Sequence, residues 1–533
     1  MIHGGIEPFM SESRRLLRAG SVAGQRHHGA VAATVLQLGA LLTLTAMPST
    51  GAAAAVPRCI AQDRWLAVES KRFTLVTNVP ERRAREISTR LEWEADAVFR
   101  SSRALRDSSG SRIFVIAAAD SVCFEAFRLR RHGRAVEQGG FFSPSLLGSY
   151  LIFDAGLPWY QFEPVCHEYV HALVNRQIGN LPLCLNEGLA EYFSTFRAGG
   201  RGIEYGHAID HHRELLLNDR LMPMDELFSI HVASPAYWEG ERRPMFYAES
   251  WALVHYLTST GELRERFDRF LARLKRGEAP RGAFGAAFPS ESWYGIQDKL
   301  KRYVAAKQLP HRQLPAGVDA RPVAMRVSEM RRADVYARLG AVLAEVHNDD
   351  RGKGEVCLEA ALGVDARCAL ALAYLGWNAD ARGRADEAES FYDRAMRADP
   401  QSAEVWLVAG MGPLVRLSGA SAAGHDASWA LRQVAIARER LRRALERDPD
   451  NAEALAQYGW TFLYDERVQG GVNALRRASR ALPTRADILT NLIVALARSG
   501  DVAEATELLD ARLRGLGDSD DVQRAESAIA SAR

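Results

Sequence analysis

The sequence predicts a protein of two parts, an α+β domain followed by an all-α solenoid of helical repeats. The first part is indicated by short strand-like runs that alternate with helical patterns before residue 160, and by the polar helical segments that follow. The second part is indicated by Pro449 and Pro483, which lie 34 residues apart with apolar and small residues recurring at matching positions around them. A chain of 533 residues is long enough for more than one domain.

Residues 1–55 have the layout of a secretory signal peptide. Arginines precede an apolar run over residues 30–46, and small residues that suit a signal peptidase follow this run. We expect cleavage near Ala54 or Ala55. An uncleaved membrane anchor is the alternative, which the alanine-rich tail disfavours. The signal predicts an exported bacterial protein of the periplasm or cell envelope, or a secreted one, with no stable membrane span after cleavage.

A small sheet packed on helices is predicted next. The strand-like runs cover residues 72–77, 112–117 and 150–153, and a helical pattern covers about 81–100. The edge of such a sheet can bind an extended peptide by strand addition. The run Gly139-Gly140-Phe141-Phe142 could lead into that edge, but its pattern does not assign it to an element.

The strongest chemical signal is the run His167-Glu168-Tyr169-Val170-His171. Positions i and i+4 of a helix share one face, so the two imidazoles can converge on one metal ion with Glu168 beside it. In a chain with 14 histidines this pattern can also arise by accident, on a helix whose histidines are merely exposed or packed.

A second helical segment favours the metal interpretation. The turn signal at residues 179–182 allows the chain to reverse and present Glu187 as a third zinc ligand. Three protein ligands leave one position open for the water molecule of a catalytic Zn2+ site. Glu191 lies one helical turn further on, where its carboxylate can orient a ligating histidine.

The segments 167–173 and 181–193 resemble the gluzincin metallopeptidases, and most closely the peptidase MA-like, DUF1570-type bacterial proteins. The resemblance covers about residues 60–310 and implies a gluzincin-like metallopeptidase domain. It implies His167, His171 and Glu187 as zinc ligands, Glu168 as general base and Glu191 as a residue behind the ligands. One departure is Cys184, where these proteins usually carry tryptophan.

An apolar helical pattern over residues 246–257 fits the same picture. By analogy with related aminopeptidases, Tyr247 could hydrogen-bond the oxyanion that develops during peptide hydrolysis. The alternative is an aromatic face buried in the core. The predicted reaction is peptide-bond hydrolysis in which Glu168 takes a proton from water and passes it to the leaving amine.

Two groups of residues near this motif leave alternatives open. His207, His211 and His212 could hold a second metal, but a polar, partly exposed start of a helix explains them as well. Six cysteines in an exported chain allow disulfides. A bridge between Cys166 and Cys184 could join the two metal-bearing helices, but two small buried thiols are the favoured interpretation.

The predicted domains are the signal at 1–55, the metallopeptidase-like domain at 57–312, a proline-containing linker at 313–332 and the repeats at 333–533. Within the repeats, the copy at 371–400 places its small and apolar residues as tetratricopeptide repeats do. A second copy contains Trp460, Ala478 and Pro483. A third copy contains Leu489, Leu492, Ala505 and Leu509. Residues 336–366 look like a degenerate first repeat, and an inserted loop of about fifteen residues is expected around 417–428.

Such repeats form a solenoid whose concave face binds peptides or proteins, although they could also only brace the first domain or form a dimer surface. A net charge of +2 gives no argument for nucleic acid or anionic membranes as partners. Two hypotheses follow. The first is an exported zinc metallopeptidase whose repeats dock a peptide or protein substrate or a partner. The second is a cell-envelope scaffold with a zinc-binding but non-catalytic peptidase-like domain.

Overall fold

The computed structural model combines a mixed sheet and helices in its N-terminal part with helical repeats in its C-terminal part. The residues described are 55–106, 113–131, 134–135, 139–144, 149–158, 161–179, 181–199, 202–231, 234, 237, 242–315, 324–346, 351–418, 425–464, 468–514 and 519–533. The predicted signal at 1–55 therefore lies outside them, except for its last residue. No helix among these residues is both long and apolar enough to cross a bilayer.

The N-terminal part contains eleven described helices and the described strands. The helices are α1 (Arg58–Gln62), α2 (Glu81–Ser101), α3 (Ser121–Phe124), α4 (Glu163–Asn175), α5 (Leu183–Ser194), α6 (Asp210–Asn218), α7 (Met224–Ser229), α8 (Arg242–Thr258), α9 (Gly261–Lys275), α10 (Pro280–Ala287) and α11 (Ile296–Val304). The strands are β1 (Leu66–Glu69), β2 (Phe73–Thr77), β3 (Ile113–Ala118), β4 (Arg130–Arg131), β5 (Arg134–Ala135), β6 (Gly140–Pro144), β7 (Ser149–Asp154), β8 (Arg197–Gly199), β9 (Gly202–Tyr205), β10 (Arg312–Pro315) and β11 (Arg326–Glu329).

Six strands form one mixed sheet in the order β11-β1-β2-β3-β7-β6. The central pairs β2–β3 and β3–β7 are parallel, whereas the outer pairs are antiparallel. The predicted strands at 72–77, 112–117 and 150–153 and the helix at 81–100 are thereby confirmed within one or two residues. The run Gly139–Phe142, which the sequence left unassigned, enters the edge strand β6.

The central strands of the sheet are buried on both faces, and their alternating apolar side chains belong to two cores. One face carries Leu75 and Val115 and packs with α2, α4 and the helices beyond them. The other face carries Ile116 and Ile152 and packs against helix residues 332–346, through side chains such as Leu339. Each fully buried aliphatic side chain of this kind stabilises the fold by about 1.5–3 kcal/mol.

The segment predicted as a linker contributes strands. β10 pairs with β9 in a three-stranded sheet completed by β8, and β11 pairs with β1 at the edge of the large sheet. The sequence favoured a linker because of its prolines, yet Pro315 is the last residue of β10, a position that tolerates a missing N–H.

Helix pairs build the C-terminal part. They are α12 (Arg332–Val346) with α13 (Arg351–Val364), α14 (Ala369–Ala381) with α15 (Ala385–Ala398), α16 (Ala403–Ser418) with α17 (Ala427–Arg447), α18 (Ala452–Thr461) with α19 (Gln469–Ala481), and α20 (Ala486–Arg498) with α21 (Val502–Leu508), followed by α22 (Ser519–Ala532). The expected insertion around 417–428 lies between α16 and α17, and its residues 419–424 lie outside the described part. Helix α17, at 21 residues, is also longer than its counterparts, so part of the added length is helical.

The first helix of the repeats is built into the core of the sheet. The Tyr150 hydroxyl of β7 donates to Glu345 Oε1 at 3.0 Å, and the Tyr374 hydroxyl of α14 donates to the same oxygen at 2.8 Å. Arg338 forms a bidentate ion pair with Glu404 of α16 at 2.6 and 2.7 Å. We call Glu345 with its two tyrosines, Arg338 and Glu404 the junction cluster. It connects the sheet to the first three helix pairs.

A disulfide links Cys59 of α1 to Cys123 of α3 across 64 residues of sequence. The sequence allowed disulfides without identifying this pair. Cys166 and Cys184 are buried thiols, as favoured from the sequence. Burial raises the pKa of both thiols, so each remains protonated and packs as a small apolar side chain.

Candidate metal centre

Two buried helices carry the predicted metal ligands. Pro164 lies in the first turn of α4, where its missing N–H costs nothing, and the i, i+4 spacing places His167 and His171 on one face. Helix α5 packs closely on α8 at Gly188. A Cβ atom added there would lie only 2.2 Å from the Ser250 carbonyl oxygen. This close approach, which requires glycine, fixes the position of the adjacent Glu187.

The three predicted ligand side chains meet at one point. The Nε2 atoms of His167 and His171 lie 3.0 Å apart, and Glu187 Oε2 lies 3.2 Å from the first and 3.3 Å from the second. Tetrahedral zinc, with ligand distances of about 2.0–2.2 Å, separates its ligand atoms by about 3.3–3.6 Å. Two imidazoles and one carboxylate at this spacing fit zinc, and three ligands leave a fourth position open.

Charge at the centre is arranged for a cation. Burial raises the pKa of Glu187, but His171 and His167 lower it by more, so the carboxylate stays ionised with a pKa well below its usual value. Burial lowers the pKa of His167, and contacts with Glu187 and Glu191 outweigh it and raise the pKa. A metal ion held here would replace the proton that these groups attract.

Each of the three predicted ligands is also contacted by a further side chain on the side away from the other two. Glu191 Oε1 lies 3.4 Å from His167 Nδ1, which places it where the sequence predicted. Its other oxygen contacts His212 Nε2 at 3.3 Å. Asn186 Oδ1 lies 3.3 Å from His171 Nδ1 and fits an N–H donor there, which leaves Nε2 for a metal.

Sequence reasoning missed Tyr237. Its buried hydroxyl donates to Glu187 Oε1 at 2.8 Å, which leaves Oε2 facing the histidines. Its ring lies parallel to that of Tyr247, with centroids 6.3 Å apart. The residue is 50 positions from Glu187 and outside any motif, so only the three-dimensional fold reveals the contact.

Glu168 lies beside the ligand triangle and is buried. The backbone N–H of Phe142 in β6 donates to Glu168 Oε2 at 3.2 Å. The edge strand of the sheet therefore positions the predicted general base directly. Phe142 belongs to the core on the site side of the sheet, while Phe141 packs in the core on the opposite side.

The centre opens into a cleft of about 780 Å³. The lining residues are Gly139, Gly140, Glu163, Pro164, His167, Glu168, Glu191, Ser194, Ile209, His211, His212, Leu215, Arg243, Pro244 and Tyr247. The Tyr247 hydroxyl is buried near Tyr237 and makes no geometrically well-formed hydrogen bond among the described residues. Burial, followed by the charge of Glu187, raises the pKa of Tyr247, so the hydroxyl keeps its proton.

The three histidines considered for a second metal separate in the structure. His211 lines the cleft, and His212 is buried against Glu191 and the Trp251 ring. His207 instead faces Glu204 and His311. The three do not share one site, and the partly exposed helix start does not describe His212, whose ring is held in the wall of the cleft.

The C-terminal region contains tetratricopeptide repeats. Residues 339–403 and 457–521 match the tetratricopeptide repeat family model. Among curated proteins, none matches the chain. The repeats predicted from the sequence are confirmed by the family model, including most of the segment described as a degenerate first repeat.

Several solved structures, among them two described as tetratricopeptide proteins, are similar to the chain at low identity. YrrB, described as having an unusual peptide-binding site, is 21% identical, with 37% of this chain and 92% of YrrB covered and a TM-score of 0.28. TTC0263 from Thermus thermophilus is 18% identical, with 37% and 99% covered and a TM-score of 0.29. Yeast Tom70 is 12% identical, with 66% and 63% covered and a TM-score of 0.28. Similarity at this level carries no argument about function.

Proposed function

We propose that the protein is a zinc-dependent metallopeptidase of the gluzincin type. The observation that carries the proposal is the triangle of His167 Nε2, His171 Nε2 and Glu187 Oε2, with sides of 3.0–3.3 Å, next to Glu168 in a cleft. An ion held by these three groups would supply Lewis-acid activation of a water molecule and of a carbonyl oxygen.

Glu168 is the general base of the proposed reaction. Its carboxylate is buried beside the ligands and is positioned by the Phe142 N–H, so it stands where it can accept a proton from water. The same group then returns the proton to the leaving amine. Hydrogen bonding from a backbone amide holds the base in place without neutralising it, because the amide keeps its own proton.

Tyr247 is the proposed donor to the developing oxyanion. The residue lines the cleft, and its buried hydroxyl keeps its proton and makes no geometrically well-formed hydrogen bond among the described residues. The alternative is a purely structural aromatic residue, because Tyr247 also packs against Phe246 and Tyr237. A Tyr247→Phe variant that retains its full kcat would favour that alternative.

We further propose that the protein is exported and that its repeats dock a peptide or protein. The signal-like residues 1–55 and the Cys59–Cys123 disulfide support export, because disulfides persist in oxidising compartments. The tetratricopeptide repeats support docking, because stacked repeats present an extended concave surface. A scaffold with a zinc-binding but inactive first domain is the competing possibility.

The test combines metal analysis with cleavage of a broad peptide library by the full-length protein. Wild type is expected to carry zinc in the cleft and to cleave peptides. Glu168→Gln is expected to retain that zinc and lose about 10²–10⁴-fold in kcat. The matched control is Glu265→Gln, the same change on the exposed surface of α9, which should behave as wild type.

Two results would overturn the enzyme assignment. One is undiminished cleavage by Glu168→Gln, which would identify a contaminating peptidase or a different base. The other is stoichiometric zinc with no cleavage of any library member, which would favour the scaffold. Absence of zinc at His167 and His171 would overturn both hypotheses.

A further inference from the structure

A second group of metal-ligating side chains lies outside the cleft. Glu204 is on β9, His207 follows that strand, and His311 precedes β10, which pairs with β9. One ligand atom from each of these three residues lies within 4.8 Å of the others. None of them lines the cleft of the first centre.

Close contacts and hydrogen bonds hold the backbone at Gly206 and His207 in place. Gly206 has φ +71, a conformation that favours glycine, and an added Cβ atom would lie 2.4 Å from the Tyr192 ring. The Gly206 carbonyl lies 3.0 Å from His255 Nε2, and the His207 N–H donates to Thr195 Oγ1 at 3.0 Å. His207 is therefore presented from a fixed point, as a ligand in a preformed site would be.

The Nε2 atom of His207 lacks a geometrically well-formed hydrogen bond among the described residues. The atom is buried, and its long contact of 3.5 Å with Glu204 Oε2 is the one ion pair that it makes there. Buried polar atoms in native proteins are nearly always satisfied, so this one indicates a ligand.

His311 can complete the site by turning its side chain. Its ring is exposed and stacks on the His207 ring, with centroids 4.5 Å apart and an angle of 18° between planes. Nitrogen lone pairs lie in the ring plane, so stacked rings cannot both point at one ion. An exposed side chain can change rotamer at little cost, which brings a His311 nitrogen towards His207 and Glu204.

We propose that Glu204, His207 and His311 bind a second divalent transition-metal ion, of which zinc is the one to test. Neutral imidazole nitrogens with one carboxylate form the donor set that zinc takes. Because His311 directly precedes β10, the ion fastens this strand to β9. The Arg197 guanidinium, on the neighbouring strand β8, opposes the ion, and we therefore expect weaker binding than in the cleft.

The test uses full-length protein in which the first centre has been removed by His167→Ala and His171→Ala. Titration with zinc alone, monitored by isothermal calorimetry, is expected to show one bound equivalent. Adding His311→Ala or His207→Gln should abolish that equivalent. His311 is exposed, so its variant is expected to fold, which circular dichroism checks. The control is His425→Ala, an exposed histidine of the repeats, which should leave the equivalent in place.

Zinc that binds equally well after His311→Ala and after His207→Gln would overturn the proposal, as would the absence of any bound zinc in the starting variant. The outcome is independent of the proposed peptidase function. If the first centre binds no metal, unaltered protein binds one equivalent that depends on His311 and not on His167. If both proposals hold, unaltered protein binds two.

Discussion

Glu187 in the metal centre and Glu345 in the junction cluster are both carboxylates taken out of bulk water, yet they differ in charge. Glu187 faces two imidazoles, and its pKa lies well below the usual value. Burial raises the pKa of Glu345 to about 7 and outweighs the hydrogen bonds from the Tyr374 and Tyr150 hydroxyls, which lower it. Arg338 stands nearby, but its charge is matched by Glu404.

The difference supports the proposal that the first of these clusters, the metal centre, binds a metal ion. The junction cluster balances its charges internally, since Arg338 pairs with Glu404, and Glu345 accepts two hydrogen bonds on one oxygen. The metal centre keeps an ionised carboxylate and two converging nitrogen atoms beside an open cleft. An ionised carboxylate and two imidazole nitrogens that converge on one point form a donor set for a divalent cation, so this arrangement favours a bound cation.

The largest effect is expected from Glu187→Gln. The neutral amide removes the negative charge that the centre offers to zinc. Loss of a residue that only supports a ligand lowers metal affinity by about 10–100-fold, so loss of this ligand should lower it by more than about 100-fold. Competition with a chromophoric chelator measures it, in protein that carries His311→Ala to remove the second proposed site. The matched control is Glu345→Gln, the same change at the junction, for which affinity should not change.

If Glu187→Gln kept the affinity of the unaltered centre, the carboxylate would not be a ligand and the contrast between the two glutamates would fail. Equal losses in Glu187→Gln and Glu345→Gln would instead indicate that the junction controls the geometry of the centre.

The second prediction concerns pH and Glu345→Gln. The pKa of Glu345 in the folded protein, about 7, is above the usual glutamate value of 4.5. Its stabilising contribution is therefore complete below about pH 4.5 and is lost as the pH rises through 7. At about 1.4 kcal/mol per pKa unit, the loss between pH 5 and pH 8 is about 2–3 kcal/mol. Glutamine resembles the protonated carboxyl and should not show this loss.

The measurement is the thermal unfolding midpoint of both proteins at pH 5 and pH 8. We expect similar midpoints at pH 5 and a higher midpoint for Glu345→Gln at pH 8. Two parallel curves would mean that Glu345 ionises in the fold without cost, which its burial and the nearby carboxylate of Glu404 argue against. That result would remove the proposed difference between the clusters.

Local periodicity was sufficient for much of the fold. The i, i+4 spacing of His167 and His171, and the position of Glu191 one turn after Glu187, depend on helix geometry alone, and the structure brings these residues together. The strand patterns around β2, β3 and β7 were equally readable, because alternation and β-branched residues report burial directly.

Long-range pairing was not readable from the sequence. Tyr237, Asn186 and the Phe142 N–H reach the site only through the fold, and no local pattern marks a side chain that will touch a residue 50 positions away. The prolines predict a linker where β11 lies, and nothing local shows that its partner is β1, at the other end of the domain. The joint core of the sheet and the first repeat helix was missed for the same reason.

The smallest of these effects is expected from Tyr237→Phe, which removes one hydrogen bond to Glu187 Oε1 and keeps the ring. The carboxylate then loses the contact that directs Oε2 towards His167 and His171, and zinc affinity should fall by about 10–100-fold, as for other groups behind metal ligands. Tyr247→Phe is the matched control, because that hydroxyl lies in the same pair of rings without donating to Glu187. Chelator competition, in the His311→Ala background, measures both. Equal affinities in the two variants would show that the hydrogen bond does not position the ligand, and that Glu187 is held by the packing of α5 on α8 alone.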